Sequence, residues 1–445
     1  MKVCNRHLLA LGWAGLFFVG NARAVNPLIL DQFTADPTAR VFEGKMYLYP
    51  SHDIPYSPGK GRTNWFIMED YHVFSSENLV DWTDHGVILN QTNVAWVNSA
   101  SYSLWAPDCV FKNGKYYFYF PALTKSGGFG IGVATADKPY GPFKPEPKPI
   151  AGVRGIDPCV FIDKDGSAYL FYALGRISVA RLKDNMLELD SKPQVITNLP
   201  PKGLIEGPFV FARNGIYYLT YPHVQNTTER IEYSTSTNPM GPYRQTGVIM
   251  DELPDGCWTV QHSIVEYQGQ WYLFYHDKDL SPDFDKNRSV RADYLYFNTD
   301  GTIRKVIPTL RGVGMAEATS IIPIARYSAS SGDGVSVSFF DETNRSEGWK
   351  ISLKGANTWA RFNQVDFGKN ELKSVAACAV APMGGTFEIR LDRLDGPLLA
   401  KIKVKKGAKW KTVSSPVTNV PTSVHDLVVS HYGGNAVELA WVRFE

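Results

Sequence analysis

The chain has 445 residues and a mass of 49.7 kDa, which is long for one domain and predicts two or three. Hydrophobic residues make up 44% and charged residues 20%, a composition that excludes a disordered chain. The net charge is only +2 and no stretch is strongly basic, which argues against a nucleic acid or an anionic membrane as partner. Aromatic residues reach 13% and helical heptads are absent, so the composition favours an all-β protein, with flat ligands such as sugars among the options.

The first 24 residues have the pattern of a secretion signal. Lys2 and Arg6 come before an apolar run over residues 8–20, and residues 22–24 read Ala-Arg-Ala, a small-residue cleavage pattern. The run is shorter than the roughly 20 residues that cross a bilayer, which disfavours a membrane anchor. We expect cleavage after Ala24 and a secreted or periplasmic protein. The remaining 43 basic and 44 acidic residues then give a net charge of −1.

Four cysteines remain beyond this segment, which is too few for a disulfide framework in a chain of this length. They are Cys109, Cys159, Cys257 and Cys378. Cys109 and Cys159 lie in similar apolar strands, so buried free thiols are favoured over disulfides, although the pairing stays open. No CxxC or HExxH spacing indicates a zinc site.

The body of the chain repeats a strand, a tight glycine turn and a second strand. The turn glycines lie at positions 44, 114, 166, 215 and 269, so the intervals are 70, 52, 49 and 54 residues. Asn-Gly and Asp-Gly turns favour β-hairpins, and periods of this size with several strands per unit are typical of a propeller. The repeats predict a five-bladed β-propeller over residues 27–325. The alternative, a pair of sandwiches, would not repeat five times.

A second domain follows a small, polar joining segment. Residues 328–334 read SASSGDG, and short alternating strands follow over residues 335–445. This pattern predicts a β-sandwich of the jelly-roll-like type.

Acidic residues recur at the start of different repeats. Asp36 stands in Ala-Asp-Pro, Asp157 in Ile-Asp-Pro and Glu206 in Glu-Gly-Pro, and His262 takes the same place in the fifth repeat. The first strand of each propeller blade lines the central axis, so these side chains are expected to converge at one end of the channel. Their offsets differ, so small bulges have to bring them into register. An isolated Asp before Pro often starts a turn, but three acids in register favour a pocket.

A set of carboxyl groups around one pocket suits glycosyl transfer. One carboxyl protonates the leaving oxygen, and another activates a water molecule on the opposite face of the sugar. A third raises the pKa of the acid by like-charge repulsion. Trp105, before the second blade, is placed to stack on a sugar ring, with core packing as the alternative. His52 and His223 follow inner hairpins and are further candidates for the pocket rim.

The three acids on a predicted five-bladed propeller resemble glycoside hydrolase family 43. Residues 105–107 (WAP), 81–83 (DWT) and 287–290 (NRSV) add to the resemblance, which covers most of the propeller. It implies an inverting mechanism in which Asp36 is the general base, Glu206 is the general acid, and Asp157 tunes and orients the acid. The related fructan and sucrose hydrolases carry Asn-Asp-Pro, Arg-Asp-Pro and Glu-Cys motifs, which this sequence lacks.

The same resemblance implies roles for two further residues. Arg288 matches an arginine that reaches a substrate hydroxyl in arabinofuranosidases, with a surface salt bridge as the alternative. His262 matches a channel histidine that ligates a central Ca²⁺ or Na⁺, often through waters. Calcium prefers oxygen ligands, so one imidazole and waters would make a weak site. No cofactor is expected for the chemistry itself.

The C-terminal part resembles a family 6 carbohydrate-binding module. The resemblance rests on residues 359–362, 385–392, 395–398, 410, 424–427 and 441–444. Such modules hold sugar between two aromatic residues above an asparagine, and Glu438 stands where that asparagine is usual. Trp359 and Trp410 are either core residues or ligand contacts, and sugar binding at the usual cleft stays open.

The sequence thus predicts a secreted, inverting, exo-acting glycoside hydrolase whose partner is a polysaccharide or oligosaccharide. We expect it to release α-L-arabinofuranose from arabinoxylan or arabinan side chains. A β-xylosidase or a galactan-active hydrolase of the same family is the alternative activity. A non-catalytic carbohydrate-binding propeller is the alternative class. A phosphorolytic enzyme needs a basic anion site in place of the Asp36 base, which argues against it. The sugar, the linkage and the oligomeric state stay open.

Overall fold

The computed structural model of the protein describes residues 25–445. It is all-β, as predicted, and residues 25–445 contain no α-helix, only two short 3₁₀ turns at Gln91–Asn93 and Arg345–Glu347. Within that range there is accordingly no helix long and apolar enough to cross a membrane. The predicted secretion signal lies outside the described residues.

The N-terminal part consists of five consecutive antiparallel sheets, in each of which neighbouring strands follow one another in sequence. The first sheet contains β1 (Phe33–Phe42), β2 (Lys45–Asp53), β3 (Asp70–Ser76) and β4 (Thr83–Asn90). The second contains β5 (Asp108–Lys112), β6 (Lys115–Leu123), β7 (Phe129–Ala136) and β8 (Lys144–Pro145). The third contains β9 (Ile156–Ile162), β10 (Ala168–Ala173), β11 (Ile177–Leu182) and β12 (Gln194–Val195). The fourth contains β13 (Phe209–Arg213), β14 (Ile216–Val224), β15 (Glu229–Ser236) and β16 (Arg244–Met250), and the fifth contains β17 (His262–Tyr267), β18 (Gln270–Asp277) and β19 (Ser289–Leu295).

Glycine turns join the first two strands of every sheet, as the repeat predicts. The five turn glycines have φ between 77° and 83°, a left-handed conformation that costs glycine little. In four of these turns the preceding residue also has a positive φ, which is the geometry of a two-residue hairpin turn whose twist matches the flanking strands.

The first strands of the five sheets form an inner ring. β1 contacts β5 and β17, β9 contacts β5 and β13, and β13 contacts β17. A buried ion pair ties this ring together: Arg40 of β1 binds Asp108 of β5 at 2.7 Å, and the backbone N–H of Val160 on β9 donates to the same carboxylate at 2.6 Å. The Arg40 guanidinium also lies 4.9 Å from the ring centroid of Phe209 on β13. Four of the five sheets therefore meet at one charge pair.

The C-terminal part consists of two sheets whose strands alternate along the chain. One sheet has the order β20 (Ala316–Glu317), β24 (Thr358–Asp366), β29 (Val424–His431), β26 (Gly385–Leu391) and β27 (Leu398–Val404), with β21 (Ala329–Ser330) paired to β24. The other has the order β22 (Val335–Phe339), β23 (Trp349–Leu353), β30 (Val437–Phe444), β25 (Ser374–Ala381) and β28 (Gly407–Pro416). Apolar residues of both sheets form one core.

The two parts of the chain share this core. Val25 and Leu280 of the N-terminal part belong to the same buried cluster as Trp349. Arg326, which is 1% exposed, lies 4.1 Å from the Trp349 ring centroid and pairs with Asp279, which lies between β18 and β19. The contact thus combines apolar residues with an ion pair between the buried Arg326 and the partly exposed Asp279.

The four cysteines of the described range are unpaired, and Cys378 alone among them is partly exposed. The structure thus agrees with the free thiols that the sequence favours.

Candidate active site

Two of the predicted acids stand at β-bulges on inner strands. The pairing of β1 with β2 shifts register between Ala35 and Thr38, and that of β9 with β10 shifts between Phe171 and Ala173. Asp36 and Asp157 have φ of 45° and 54°, a left-handed conformation that is rare outside glycine. A bulge re-aims the side chain of its strand. The unequal positions of the acids in their repeats require irregularities of this kind. Backbone strain at such residues is typical of functional sites.

The carboxylate of Asp36 receives hydrogen bonds from two side chains. Ser51 Oγ donates at 2.7 Å to Oδ2, and the Arg288 guanidinium donates at 2.7 Å to Oδ1 and at 3.2 Å to Oδ2. The backbone N–H of Asp36 donates to His276 Nδ1 at 3.0 Å. Asp36 is 5% exposed, so the surroundings hold its carboxylate in one orientation.

Arg288 binds two carboxylates at once. Its Nε and Nη2 donate to Asp53 at 2.9 Å, while the other side of the fork binds Asp36. The guanidinium is 2% exposed and lies 4.6 Å from the ring centroid of Phe66. Burial opposes its charge, but Asp36 and Asp53 outweigh burial and raise the pKa of Arg288. The surface salt bridge considered for Arg288 is therefore corrected to a buried ion pair that holds the predicted base.

Asp157 lies beside the predicted acid. It is 4% exposed, and its Oδ2 accepts a hydrogen bond from the backbone N–H of Gly207 at 3.0 Å. Burial, followed by the charges of Glu206 and Asp36, raises the pKa of Asp157 well above its ordinary value. The three predicted acids are therefore close enough to interact electrostatically, and repulsion of this kind is mutual.

Glu206 precedes β13 and meets a carboxyl group that the sequence analysis missed. Burial raises the pKa of Glu206 and the charge of Asp36 adds to this, against the opposing hydrogen bond from Glu229. Glu229 lies at the start of β15 and is 2% exposed. A raised pKa keeps a proton on Glu206 at higher pH, as a general acid requires.

His276 on β18 is a second residue that the sequence analysis missed. Its Nδ1 accepts from Asp36, and its Nε2 lies 2.9 Å from the backbone oxygen of Thr259. Burial and the nearby Arg288 charge lower the pKa of His276 to about 3, so the ring is neutral. A neutral ring with its proton on Nε2 satisfies both contacts.

An aromatic wall borders the acid cluster. Phe66 covers the Arg288 guanidinium, stacks on Trp258 at 6.1 Å between ring centroids, and lies 6.4 Å from Trp105. Trp105 is partly exposed, packs on Phe129 at 4.6 Å, and has a buried Nε1 without a hydrogen-bond partner in the described range. Trp105 therefore belongs to a wall near the site and to the core behind it.

His262 is buried on β17, close to His276. Its Nε2 lies 2.6 Å from Thr220 Oγ1, and its Nδ1 is buried without a hydrogen-bond partner among residues 25–445. Burial and the nearby His276 lower the pKa of His262 to about 3, so the ring is neutral and able to act as a ligand. The unpartnered nitrogen suits a water or a water-coordinated cation, although calcium takes mostly oxygen ligands.

The other two predicted histidines, His223 and His52, have hydrogen-bond partners outside the acid cluster. His223 is 5% exposed, with Nδ1 2.8 Å from Glu232 and Nε2 2.8 Å from the Lys202 backbone oxygen. His52 binds Asp70 at 2.6 Å. Since both ring nitrogens of His223 are engaged, the structure disfavours it as a substrate ligand. Neither histidine is hydrogen-bonded to the three predicted acids.

Comparison with known proteins matches these features to a family. Residues 25–303 match the family described as Glycosyl hydrolases family 43. The chain belongs to glycosyl hydrolase family 43. Residues 328–445 of this family 43 enzyme match the Carbohydrate binding module (family 6). The resemblances drawn from the sequence are confirmed, and catalysis in the family needs no cofactor.

Two curated relatives differ in how much of the chain they match. Xylosidase/arabinosidase 43A of Humicola insolens is 38% identical over 330 residues, which cover 62% of this chain and 98% of the relative. Arabinoxylan arabinofuranohydrolase of Bacillus subtilis (strain 168) is 30% identical over 468 residues, which cover 92% of this chain and 88% of the relative. The second relative therefore spans both parts of the chain.

Solved structures show the same division. A family 43 beta-xylosidase/alpha-arabinofuranosidase from a compost microbial metagenome, in complex with xylotriose and in a calcium-free form, is 37% identical with a TM-score of 0.58. That match covers 64% of this chain and 98% of the other. The arabinoxylan arabinofuranohydrolase of Bacillus subtilis, in complex with cellotetraose, is 25% identical with a TM-score of 0.57 and covers 95% of this chain and 97% of the other.

Proposed function

We propose that this family 43 enzyme is an inverting, exo-acting hydrolase that releases terminal α-L-arabinofuranosyl residues from arabinoxylan. The observation that carries the proposal is the buried acid cluster. In it, Asp36 is bound by Arg288 and Ser51, and Glu206 has a raised pKa. One carboxylate that accepts a proton and one carboxyl that supplies one are the two groups that inversion needs.

The reaction follows from these two protonation states. Asp36 takes a proton from a water molecule, and the water oxygen forms a bond to the anomeric carbon on the face opposite the leaving group. The bond from that carbon to the glycosidic oxygen breaks, and Glu206 gives its proton to this oxygen. Asp157 is given the tuning and orienting role that the resemblance implies, and its electrostatic interaction with Glu206 supports this, because ionisation of either acid disfavours ionisation of the other. In an inverting enzyme the two carboxyls are about 6.5–9.5 Å apart, which leaves room for the water.

The five N-terminal sheets are, in this proposal, the blades of a five-bladed propeller over residues 27–325. The ring of contacts among their first strands supports this, since it brings equivalent strands around one axis. The two C-terminal sheets, over residues 335–445, form a sandwich of the jelly-roll-like type, and their shared apolar core supports that assignment.

The similar proteins support two candidates for the sugar that the enzyme releases, arabinofuranose and xylose. The arabinoxylan arabinofuranohydrolases span both parts of this chain, which favours arabinofuranose. A β-xylosidase is the second candidate, because relatives named xylosidase/arabinosidase or beta-xylosidase are 35–38% identical to the N-terminal part. Arabinoxylan carries both sugars, so one polysaccharide tests both candidates.

The C-terminal module is proposed to bind the same polysaccharide. Its Trp410 packs on Phe340 at 5.0 Å, and Lys350 lies 5.9 Å from the Trp410 ring centroid and 3.6 Å from Glu438. An indole beside a charged pair offers both a stacking face and hydrogen-bonding groups to a sugar. We also propose that the protein is secreted or periplasmic after cleavage near Ala24, and that a structural cation is held beside His262 through waters.

Sugar release from defined substrates tests the proposed function. Wild-type enzyme and Glu206→Ala are compared on aryl α-L-arabinofuranoside, aryl β-D-xyloside and wheat arabinoxylan, with the product anomer read by ¹H NMR. The proposal expects arabinose of inverted configuration, with release from arabinoxylan lost in Glu206→Ala. Xylose in its place would move the specificity to the second candidate. No sugar from any substrate, from a folded enzyme that binds the polysaccharide, would contradict hydrolysis of pentosides and favour a carbohydrate-binding protein.

A further inference from the structure

A second buried carboxylic acid lies against Glu206. Glu229, at the start of β15, is 2% exposed, and Glu206 is near enough for its charge to raise the pKa of Glu229. Two ionised carboxylates can only accept hydrogen bonds, so a hydrogen bond between these two acids requires a proton on one of them. The proposed reaction uses Glu206 as the acid and does not involve Glu229.

The surroundings of Glu229 favour its neutral form. Its Oε2 accepts a hydrogen bond from the backbone N–H of Val260 at 2.7 Å, and its Oε1 is buried without a hydrogen-bond partner of assigned direction in the described part of the chain, which leaves it free to carry a proton toward Glu206. The charged groups that face it are the acids Glu206 and Asp157. Glu206 faces the acid Asp36 and, unlike Glu229, also the cation Arg288. Of the two acids, Glu206 is therefore the one better placed to carry a negative charge.

We propose that Glu229 stays protonated through the reaction and is a positioning residue that donates its hydrogen bond to Glu206. The inference rests on the proposed hydrolase function. Before the reaction this bond holds the Glu206 carboxyl in one orientation. After Glu206 has given its proton to the leaving oxygen, the same bond stabilises the carboxylate that remains. A proton from water then restores Glu206, and Glu229 is unchanged.

The electrostatics of the pair agree with this role. Burial, and then the charge of Glu206, raises the pKa of Glu229 well above its ordinary value. The hydrogen bond acts in the opposite direction on Glu206 and lowers its pKa. Glu229 therefore limits how far burial raises the pKa of the acid, which has to release its proton in every turnover.

Two substitutions of Glu229 distinguish the effect of its hydrogen-bond donor from the effect of its charge. Glu229→Gln keeps a neutral donor toward Glu206 and an acceptor for Val260, so we expect kcat on arabinoxylan within about threefold of wild type and an unchanged basic limb of the pH profile. Glu229→Ala removes the donor, so we expect kcat to be at most about one tenth of the wild-type value and the basic limb of the pH profile to move to higher pH. With aryl pentosides, which need little protonation of the leaving group, the loss in Glu229→Ala is smaller.

Two results would overturn the proposal. A basic limb that moves down by about one unit or more in Glu229→Gln would show that Glu229 is ionised in the working enzyme. Wild-type pH profiles in both variants would show that Glu229 does not act on Glu206. Glu229→Gln also serves as the folding control for Glu229→Ala.

A stability measurement tests the protonation of Glu229 without any activity. A carboxyl whose pKa is raised in the folded state contributes stability below its unfolded pKa and loses it as pH rises through the folded pKa. We expect the melting temperature of Glu229→Gln, relative to wild type, to rise between pH 5 and pH 9. A difference that is independent of pH would contradict the raised pKa. If the wild type cleaves no pentoside, the proposed function fails while this test still reports on Glu229.

A separate cluster on the first sheet has the composition of a metal site. His52 lies on β2, and Asp70 and His72 lie two residues apart on β3, its antiparallel neighbour. Each offers one ligand atom, and these atoms all lie within 4.8 Å of one another. The side chains are 19%, 12% and 16% exposed, so an ion from solvent can reach them. The ligands come from two strands, and His52 lies 18 residues from Asp70, so no short sequence motif predicts the site.

A carboxylate outside the cluster orients one of its imidazoles. His72 Nδ1 lies 3.0 Å from Asp84, which leaves Nε2 to bind a metal, the usual arrangement of metal-binding histidines. His52 Nδ1 and Asp70 Oδ1 lie 2.6 Å apart, so these two ligand atoms already face each other. The two rings are 4.9 Å apart between centroids.

We also propose that His52, His72 and Asp70 bind one zinc ion. Two imidazoles and a carboxylate suit zinc better than calcium, which prefers oxygen ligands. Side chains alternate along a strand, so Ser51 and Asp53 project to the other face of β2, where they hold Asp36 and Arg288. The ion would therefore join β2 to β3 behind the acid cluster.

Zinc titration of the full chain tests this site. Calorimetry is expected to show one equivalent bound to wild type, loss of binding in His52→Ala and His72→Ala, and about tenfold or more weaker binding in Asp84→Asn. His425→Ala is the matched control, because His425 forms a similar pair with Asp392 at 2.9 Å in the C-terminal part. Bound zinc is expected to raise the melting temperature of wild type and of the control. Binding that survives both histidine variants, or no stoichiometric binding to wild type, would overturn the proposal.

Discussion

Arg288 binds Asp36 through both terminal nitrogens of its guanidinium, at 2.7 and 3.2 Å, in a site where both residues are almost fully buried. The same guanidinium binds Asp53, so one cation lies between two carboxylates. The resemblance implied an arginine that reaches the substrate. The structure shows an arginine that holds two carboxylates, one of which is the predicted base, so Arg288 fixes the orientation of that base.

Replacement of Arg288 by lysine is expected to impair both activity and stability. Lysine cannot bind two carboxylates through a planar fork, so Asp36 loses its orientation. We expect kcat/KM on aryl arabinofuranoside to fall about 100-fold, as for a misplaced catalytic group. Lysine keeps the charge but cannot pair with Asp36 and Asp53 together, so we expect the unfolding free energy to fall, by less than the about 3–5 kcal/mol that removal of a buried partner costs. Urea unfolding measures this, with Arg345→Lys as control, since Arg345 pairs with Asp283 at the surface.

Removal of the Asp36 carboxylate is expected to stop activation of water without loss of substrate binding. We expect kcat of Asp36→Ala to fall about 10²–10⁴-fold, the usual contribution of a general base. Added azide, which needs no base, is expected to restore part of the rate and to give a pentosyl azide of inverted configuration. An azide product of retained configuration would contradict the assignment of Asp36 as base in an inverting reaction.

The pH profile is expected to show the raised pKa of Glu206. Glu206 acts only when protonated, so kcat/KM on arabinoxylan falls as pH rises through its pKa, which burial raises above the ordinary value. In Glu206→Ala the residual rate on an aryl substrate is expected to lack this basic limb. A limb that persists in the variant would belong to another group of the coupled set.

The sequence predicts those parts of the fold that repeat along the chain. Each glycine turn marks a hairpin, and similar positions in successive units predict that Asp36, Asp157 and Glu206 converge, with bulges making up for their unequal offsets. Local spacing cannot predict Glu229, because β15 is the third strand of its sheet and reaches Glu206 only through the packing of neighbouring segments. The role of Asp53 is hidden for the same reason, since its partner Arg288 is 235 residues away.

The contact between the two parts of the chain is expected to make them unfold together. Arg326 pairs with Asp279 and stacks on Trp349, and Asp279 also lies 3.6 Å from Arg291 on β19. Since Arg326 is 1% exposed, Arg326→Ala leaves Asp279 with one cation fewer and opens a gap beside the Trp349 ring. We expect the unfolding free energy to fall by about 3 kcal/mol or more, because a buried ion pair is broken from one side.

Arg393→Ala is the matched control for this prediction. Arg393 pairs with Asp395 at 3.0 Å but is 73% exposed, so its loss is expected to change stability by less than about 0.5 kcal/mol. Wild type is expected to melt in one transition in calorimetry, and Arg326→Ala at a lower temperature or in two transitions. Two transitions in wild type, with the variant unchanged, would show that the shared core does not couple the parts. Because Asp279 and Arg288 lie in the same segment between β18 and β19, a lower kcat in Arg326→Ala would show that the contact also supports the active site.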